Sequence, residues 1–310
     1  MTSLLKRLLG GETIASQPKR SDGEELARQL EKLEGYRVLR ALDPLIGFEE
    51  LPPLVGDERI GVVIDCETTG LDPAQDRMVE IAAQRFAFDQ KGRITKVERV
   101  RSWLEDPHQP LPEKISQLTG LTDADLRDKA FDEVEVIRRL SSAEIIVAHN
   151  ARFDRPFFDR RFPQLRDKSW GCSLAQLDWQ KLGFDGRALG HLLLQSGLYF
   201  DGHRAANDVV ALTTLLGLQL PDGSTIFSHL LEECIAESVR IEAVGAPFET
   251  KDMLKHRGYR WDPNGRFWWK ELRKSDFERE ATWLEEEVYS GSGRPRLRFI
   301  TARERFIESR

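Results

Sequence analysis

The chain has 310 residues, 40% hydrophobic and 32% charged, with a formal net charge of −6. That is enough apolar material for one substantial core and a smaller module, and no run of about 18 apolar residues is present to span a membrane. Three dispersed cysteines, Cys66, Cys172 and Cys234, lack the spacing of a zinc site or a disulfide framework. The start lacks the apolar core and small-residue cleavage site of a signal peptide, so a cytoplasmic protein with no membrane partner is expected.

Residues 1–57 read as a helical extension. They open with Leu4-Leu5-Lys6-Arg7-Leu8-Leu9, pass through a polar stretch, and then carry a helical pattern at Leu26, Leu30, Leu33, Tyr36 and Leu39. Residues 58–220 form the next unit. A β-branched run ending at Asp65 predicts a buried central strand. Arg77 to Phe88 and Thr95 to Leu104, joined through Asp89-Gln90-Lys91-Gly92, predict an antiparallel hairpin. Further strands are predicted near Ile145 and Trp170, with helices around Phe131, Phe157, Ala188 and Leu212. This alternation predicts an α/β fold, a mixed sheet flanked by helices. Residues 221–238 contain a Pro-Asp-Gly-Ser break and a connecting helix, Ile226 to Ser238. Residues 239–310 read as a small α+β module: a strand at 239–245, a helix at 250–257, a strand at 267–272 and a helix at 276–289.

Three segments hold chemistry. In Gly61-Val62-Val63-Ile64-Asp65-Cys66-Glu67-Thr68-Thr69-Gly70, strand alternation puts Asp65 and Glu67 on one face and Cys66 on the other. Two carboxylates side by side repel unless a cation joins them, and hard oxygen ligands select magnesium or manganese over zinc. In His149-Asn150-Ala151-Arg152-Phe153-Asp154 a strand hands over to a helix that carries a third carboxylate. His149 reads as a packing or capping residue, and Asn150 or Asp154 would serve the opening turn. In His203-Arg204-Ala205-Ala206-Asn207-Asp208, which precedes an apolar helix, five steps of about 100° set His203 and Asp208 apart around a helix. His203 is therefore expected in the loop before it.

These three ordered blocks are the basis of a resemblance. The chain resembles the DEDDh family of exonucleases, and is similar to the proofreading exonuclease subunit of bacterial DNA polymerase III, over roughly residues 59–220. Asp76-Arg77-Met78-Val79-Glu80-Ile81-Ala82 and Leu118-Thr119-Gly120-Leu121-Thr122 agree with it. The resemblance implies a ribonuclease H-like fold and a 3′-to-5′ exonuclease that hydrolyses phosphodiester bonds at single-stranded or frayed 3′ ends, of DNA or alternatively RNA. It implies that Asp65, Glu67, Asp154 and Asp208 hold two divalent ions, roughly 3.5–4 Å apart, at the scissile phosphate. His203 would be the general base, since an imidazole of ordinary pKa near 6.5 accepts a proton at neutral pH. Thr68 and Thr69, through exposed amides at the strand end, would contact the terminal nucleotide. A polymerase or repair partner is implied too.

Net negative charge is weak evidence against a nucleic-acid partner, because residues 240–310 carry 16 Lys+Arg against 13 Asp+Glu. There, basic and aromatic residues interleave. Lys255, Arg257, Tyr259, Arg260, Trp261 and Trp268 are candidates for nucleic-acid contact, the aromatics stacking on bases and the cations meeting phosphates. The competing reading makes the tryptophans the module's core, with Lys and Arg lining its exterior.

Overall fold

A computed structural model describes residues 20–307. The amphipathic turns at residues 4–9 lie outside the described residues. In chain order the elements are α1 (Arg20–Glu31), β1 (Arg40–Ala41), β2 (Arg59–Thr68), β3 (Met78–Phe88), β4 (Ile94–Val97), β5 (Arg101–Leu104), α2 (Glu113–Thr119), α3 (Asp123–Leu126), α4 (Glu133–Ser141), β6 (Ile145–Ala148), α5 (Ala151–Arg161), β7 (Ser169–Cys172), α6 (Ser173–Gln176), α7 (Leu189–Gln195), β8 (Leu198–Tyr199) and α8 (Ala205–Gly217). The remainder are α9 (Ile226–Ile235), β9 (Ser238–Ala243), α10 (Lys251–His256), β10 (Arg260–Asp262), β11 (Phe267–Arg273), α11 (Phe277–Trp283) and β12 (Arg296–Ile300).

The main sheet runs β4-β3-β2-β6-β7, with β5 also on β3. β2 is antiparallel to β3 and parallel to β6, which is parallel to β7, so the sheet is mixed. Helices cover both faces, the ribonuclease H-like arrangement. Because successive side chains on β2 alternate, Val63 enters one core with Leu192, Val209, Leu212 and Phe227 from α7, α8 and α9. Val62, Ile64 and Cys66 enter the opposite core with Phe157 and Phe158 of α5 and Trp170 of β7. Asp65 and Glu67 continue the Val63 face. They therefore emerge at the end of β2 beneath α8.

The single strand expected from Thr95 to Leu104 is two. Both β4 and β5 pair with β3, and the interruption contains Glu98, whose fully buried carboxylate sits between Arg85 (2.9 Å) and Arg139. An unpaired buried carboxylate would be costly, and turning it inward to two guanidiniums breaks the strand.

The expected helical pattern from Leu26 to Leu39 also changes. α1 stops at Glu31, and Leu26, Leu30, Leu33 and Tyr36 stay exposed. Beyond it the chain is extended. β1 pairs with β8 in parallel, and Arg37 donates to the carbonyls of Leu194 and Gln195. Gly35, at φ 85°, starts this change of direction.

The C-terminal module is a sheet of order β10-β11-β9-β12, with α10 and α11 on one face. β10 and β12 were not expected from the sequence, and the helix expected up to Ser238 ends at Ile235, so that Ser238 opens β9. α11 continues as one π-helical segment, Leu284–Val288. Two buried arginines tie the module to the main sheet. Arg155 of α5 donates to the carbonyls of Arg303 and Arg305, and Arg305 donates to those of Glu233 and Cys234. All three cysteines are buried free thiols, and no helix among the described residues is long and apolar enough to cross a membrane.

Candidate active site

A cavity of about 210 Å³ opens at the end of β2. Its walls bring together Asp65, Glu67, Asp154, His203 and Asp208, with Ile64, Phe153, Leu189 and Leu212 as apolar lining. Carboxylate oxygens of Asp65, Glu67 and Asp208 lie within 4.8 Å of one another. Asp154 arrives from the opposite side of the sheet, on the first turn of α5, and its Oδ1 accepts from the Cys66 amide (3.2 Å) and thiol (3.4 Å). That bond keeps it outside the tight trio while holding it against the same strand end.

Burial raises every one of these carboxyls. Asp65 is driven well above the usual range by burial, then by the negative charges of Asp154, Asp208 and Glu67. Glu67 is pushed up to about 8 by burial and by Asp208 and Glu80, Asp154 to about 7 by burial, and Asp208 upward by burial. None of Asp65, Glu67, Asp154 and Asp208 has an ion pair with Lys or Arg among the described residues. A buried carboxylate set without cationic side chains, built from oxygen donors only, fits a hard divalent cation.

His203 stands in the loop before α8, as expected. Its backbone is left-handed (φ 66°), its amide donates to Asp208 Oδ2 at 2.8 Å, and its imidazole is exposed at the cavity rim. His149 is held: its rings' nitrogens meet Ser173 Oγ (2.8 Å) and the Arg187 carbonyl (3.0 Å). The carbonyl can only accept, so Nε2 carries the proton and Nδ1 receives the Ser173 hydroxyl. Burial lowers its pKa to about 4, which keeps the ring neutral. Asn150 is the residue before α5, yet its side chain makes no capping bond.

Thr68 and Thr69 differ from expectation. Both are buried; the Thr69 amide donates to the Arg77 carbonyl, its hydroxyl to Asp76 (3.0 Å), and the Thr68 hydroxyl to the Gly70 carbonyl. The Thr69 amide is thus not free, and the two hydroxyls lock the turn that ends β2. Gly70 belongs to this lock, since a Cβ there would fall 2.5 Å from Asp76.

One pair escaped the sequence reading. Glu80 of β3, fully buried and opposite Glu67 in the ladder, accepts two bonds from the Arg204 guanidinium (3.0 and 3.2 Å) and one from the Ala205 amide (3.3 Å). Arg204 adjoins His203, so this clamp fixes where the His203 loop enters α8. Glu80 among the apolar residues Met78, Val79, Ile81, Ala82 and Ala83 was the available signal.

In the module, alternation divides the aromatic-basic run. Tyr259 is buried in the core beside Leu254 and Leu284, and Trp268 packs on that cluster with Trp261 edge-on at 5.6 Å. Arg257 pairs with Glu280 and lies over Trp283. Tyr259, Trp268 and Arg257 thus take part in the module's own packing. Lys255, Arg260 and Trp261 remain exposed.

The profile of the RNase T-type exonuclease family matches residues 62–216. The epsilon subunit of DNA polymerase III from Treponema pallidum is 33% identical over 153 residues, 46% of this chain and 68% of that one. The chain belongs to the exonuclease family. The PolC-type DNA polymerase III of Thermotoga maritima is 33% identical over 162 residues, 47% of this chain and 11% of its own length. The chain thus corresponds to about a tenth of that relative. The crystal structure of E. coli exonuclease I with a dA16 oligonucleotide overlaps at a TM-score of 0.45 and 17% identity, over 79% of this chain and 64% of that one, a loose superposition that decides nothing. The exonuclease family is metal-dependent, in keeping with the acidic cluster at this site.

Proposed function

We propose that the protein is a 3′-to-5′ exonuclease that releases nucleoside monophosphates from single-stranded or frayed ends of DNA in the cytoplasm. The observation that carries this reading is the meeting of Asp65, Glu67 and Asp208 within 4.8 Å in a cavity that also receives Asp154 and His203. Asp65, Glu67, Asp154 and Asp208 would hold two divalent cations, magnesium or manganese, whose charge stabilises both oxygens of an in-line phosphoryl displacement. His203 takes the proton of the attacking water; it reaches the cavity on a backbone position that Asp208 and the Arg204–Glu80 clamp hold in place. Ile64, Phe153, Leu189 and Leu212 make part of the lining apolar, which strengthens the charge interactions in the cavity. The turn of Thr68 and Thr69 acts on the terminal nucleotide by fixing the strand end. A polymerase or repair partner accords with the kinship to polymerase III chains.

The test uses oligonucleotides labelled at either end. A 5′-labelled single strand should shorten stepwise in magnesium or manganese, whereas a 3′ label should leave as mononucleotide from the first turnover. Release of 5′ mononucleotides first, or internal cuts, refutes the direction of attack. Matched RNA and DNA strands then rank the two sugars, since contacts to the 2′-hydroxyl distinguish them.

A further inference from the structure

A second and larger opening, about 880 Å³, lies between the exonuclease sheet and the C-terminal module. It adjoins the catalytic cavity. Asn150 lines both, and on the first turn of α5 Asp154 and Arg152, two residues and so about 200° apart, face the cavity and the cleft respectively. From the module, β10 and β11 supply the opposite wall. Arg260 and Trp269 are directly paired in their ladder and so share one face, while the pair Trp261 and Trp268 points to the other.

The charges in this cleft are not balanced. Four of the carboxylates that line it are already neutralised: Asp178 by Lys181 (2.8 Å), Glu233 by Arg273, Glu237 by Lys274 (2.5 Å) and Glu271 by Arg305 (3.0 Å). A fifth, Asp185, is held by His191 and Gln195. Arg152, Arg187 and Arg260 also line the cleft, and none has a carboxylate partner among the described residues. Two of them flank the half-buried Trp269, at 5.3 Å for Arg152 and 5.9 Å for Arg260. Two unpaired guanidiniums beside an indole that the paired Arg240 also approaches (4.3 Å), in a trough that adjoins a hydrolytic cavity, match the chemistry of a single strand: phosphates for the cations, a base for the ring.

We propose that this interdomain cleft carries single-stranded DNA to the catalytic cavity, with Arg152, Arg187 and Arg260 on its phosphates and Trp269 stacked on a base a few nucleotides from the 3′ end. The module is then the second wall of the strand path. The proposal rests on the exonuclease reading above, and it moves nucleic-acid contact from the Lys255–Trp261 surface to the face that looks at α5.

The experiment measures binding of a 5′-fluorescein thymidine oligonucleotide about fifteen nucleotides long, within the range of single-strand site sizes, to the full chain in EDTA so that no turnover intrudes. The double variant Arg187→Gln, Arg260→Gln should weaken binding on the order of tenfold at low salt and reduce the slope of log K against log salt by about 1.4, the share of two lost phosphates. The variant Lys255→Gln, Trp261→Ala should leave affinity and slope unchanged. Thermal melts of both variants check that the fold is intact, which exposed positions favour. Unchanged binding in the first variant, or loss confined to the second, overturns the proposal. An independent measurement places 4-thiothymidine a few nucleotides from the 3′ end: cross-linking to Trp269 or Arg260 supports the path, and cross-linking only to Lys255 or Trp261 overturns it. If wild-type protein in magnesium fails to shorten the same strand, the exonuclease reading fails, whichever way the binding result falls.

Discussion

Two regions of the molecule draw carboxylates in from solvent and treat them in opposite ways. On the module face toward α5, Glu242 sits between Arg240 (3.0 Å) and Arg296, and Asp262 also meets Arg240 (3.0 Å). At the end of β2, Asp65, Glu67 and Asp208 gather within 4.8 Å of one another, and none has an ion pair with Lys or Arg among the described residues. Buried charge is tolerated when paired, so the first cluster is accounted for by structure alone. The second is strained as it stands, and strain that persists in a cavity marks function.

The sharpest way to break this contrast is to remove one charge from each cluster. Asp65→Asn should cut exonuclease turnover more than about a thousandfold, because the buried negative charge that would hold a cation is lost. The same change should raise the stability of the metal-free protein by about 0.5–2 kcal/mol, the gain usual when a strained functional residue is relaxed. Glu242→Ala should do the reverse. It removes one of the two carboxylates on buried Arg240, which keeps Asp262, and returns the exposed Arg296 to water, at a cost of about 1–3 kcal/mol in urea unfolding of the module. Equal destabilisation by both changes would show that the two clusters are alike and would remove the argument for a functional site.

A third prediction sharpens the comparison through pH. Glu67 titrates near 8 and Asp154 near 7 in the fold, both above the ordinary carboxylate range. Between about pH 4 and about pH 8 the folded chain therefore binds more protons than the unfolded chain, and the stability of the metal-free protein should fall as pH rises through this window. Saturating magnesium or manganese binds the deprotonated form and should flatten or reverse the slope. Thermal melts across that range, with and without metal, check this; a rising metal-free curve would contradict the burial of the cluster.

What the sequence revealed follows the reach of each signal. Alternation along β2 put Asp65 and Glu67 on one face, and the five-step spacing put His203 ahead of α8; both are local geometry, and both hold in the structure. The burial of Thr68 and Thr69 was not legible because their bonds go to Gly70, Asp76 and Arg77 across a turn whose shape depends on Asp76 closing against Gly70. β12 was missed because Arg296-Leu297-Arg298-Phe299-Ile300 becomes a strand only by pairing with β9, more than fifty residues away. The split of the module's aromatics was within reach. The Asp262-Pro263-Asn264-Gly265 turn is a hairpin signal, and once β10 is paired with β11, alternation assigns Trp268 to the core and Trp269 to the other face. The apolar spacing at Leu26, Leu30, Leu33 and Tyr36 resembled an amphipathic helix, but these side chains are exposed and supply no packing to extend α1.

The smallest expected effect concerns the clamp that links the contrasted regions' logic within one site. Glu80 is a buried carboxylate that does have its partner, and that partner, Arg204, stands next to His203. A guanidinium makes two bonds to Glu80 at once, whereas an ammonium can supply charge but not the planar fork. Arg204→Lys should therefore retain the fold yet loosen the start of α8, lowering kcat about 10- to 100-fold, as loss of an orienting partner does, with little change in KM. If Arg204 only stabilised the helix, Lys would lower Tm and leave kcat per folded molecule unchanged. A drop in kcat together with a shifted pH–rate profile assigns the clamp to the placement of the His203 base, because the proton acceptor's surroundings would have changed along with its position.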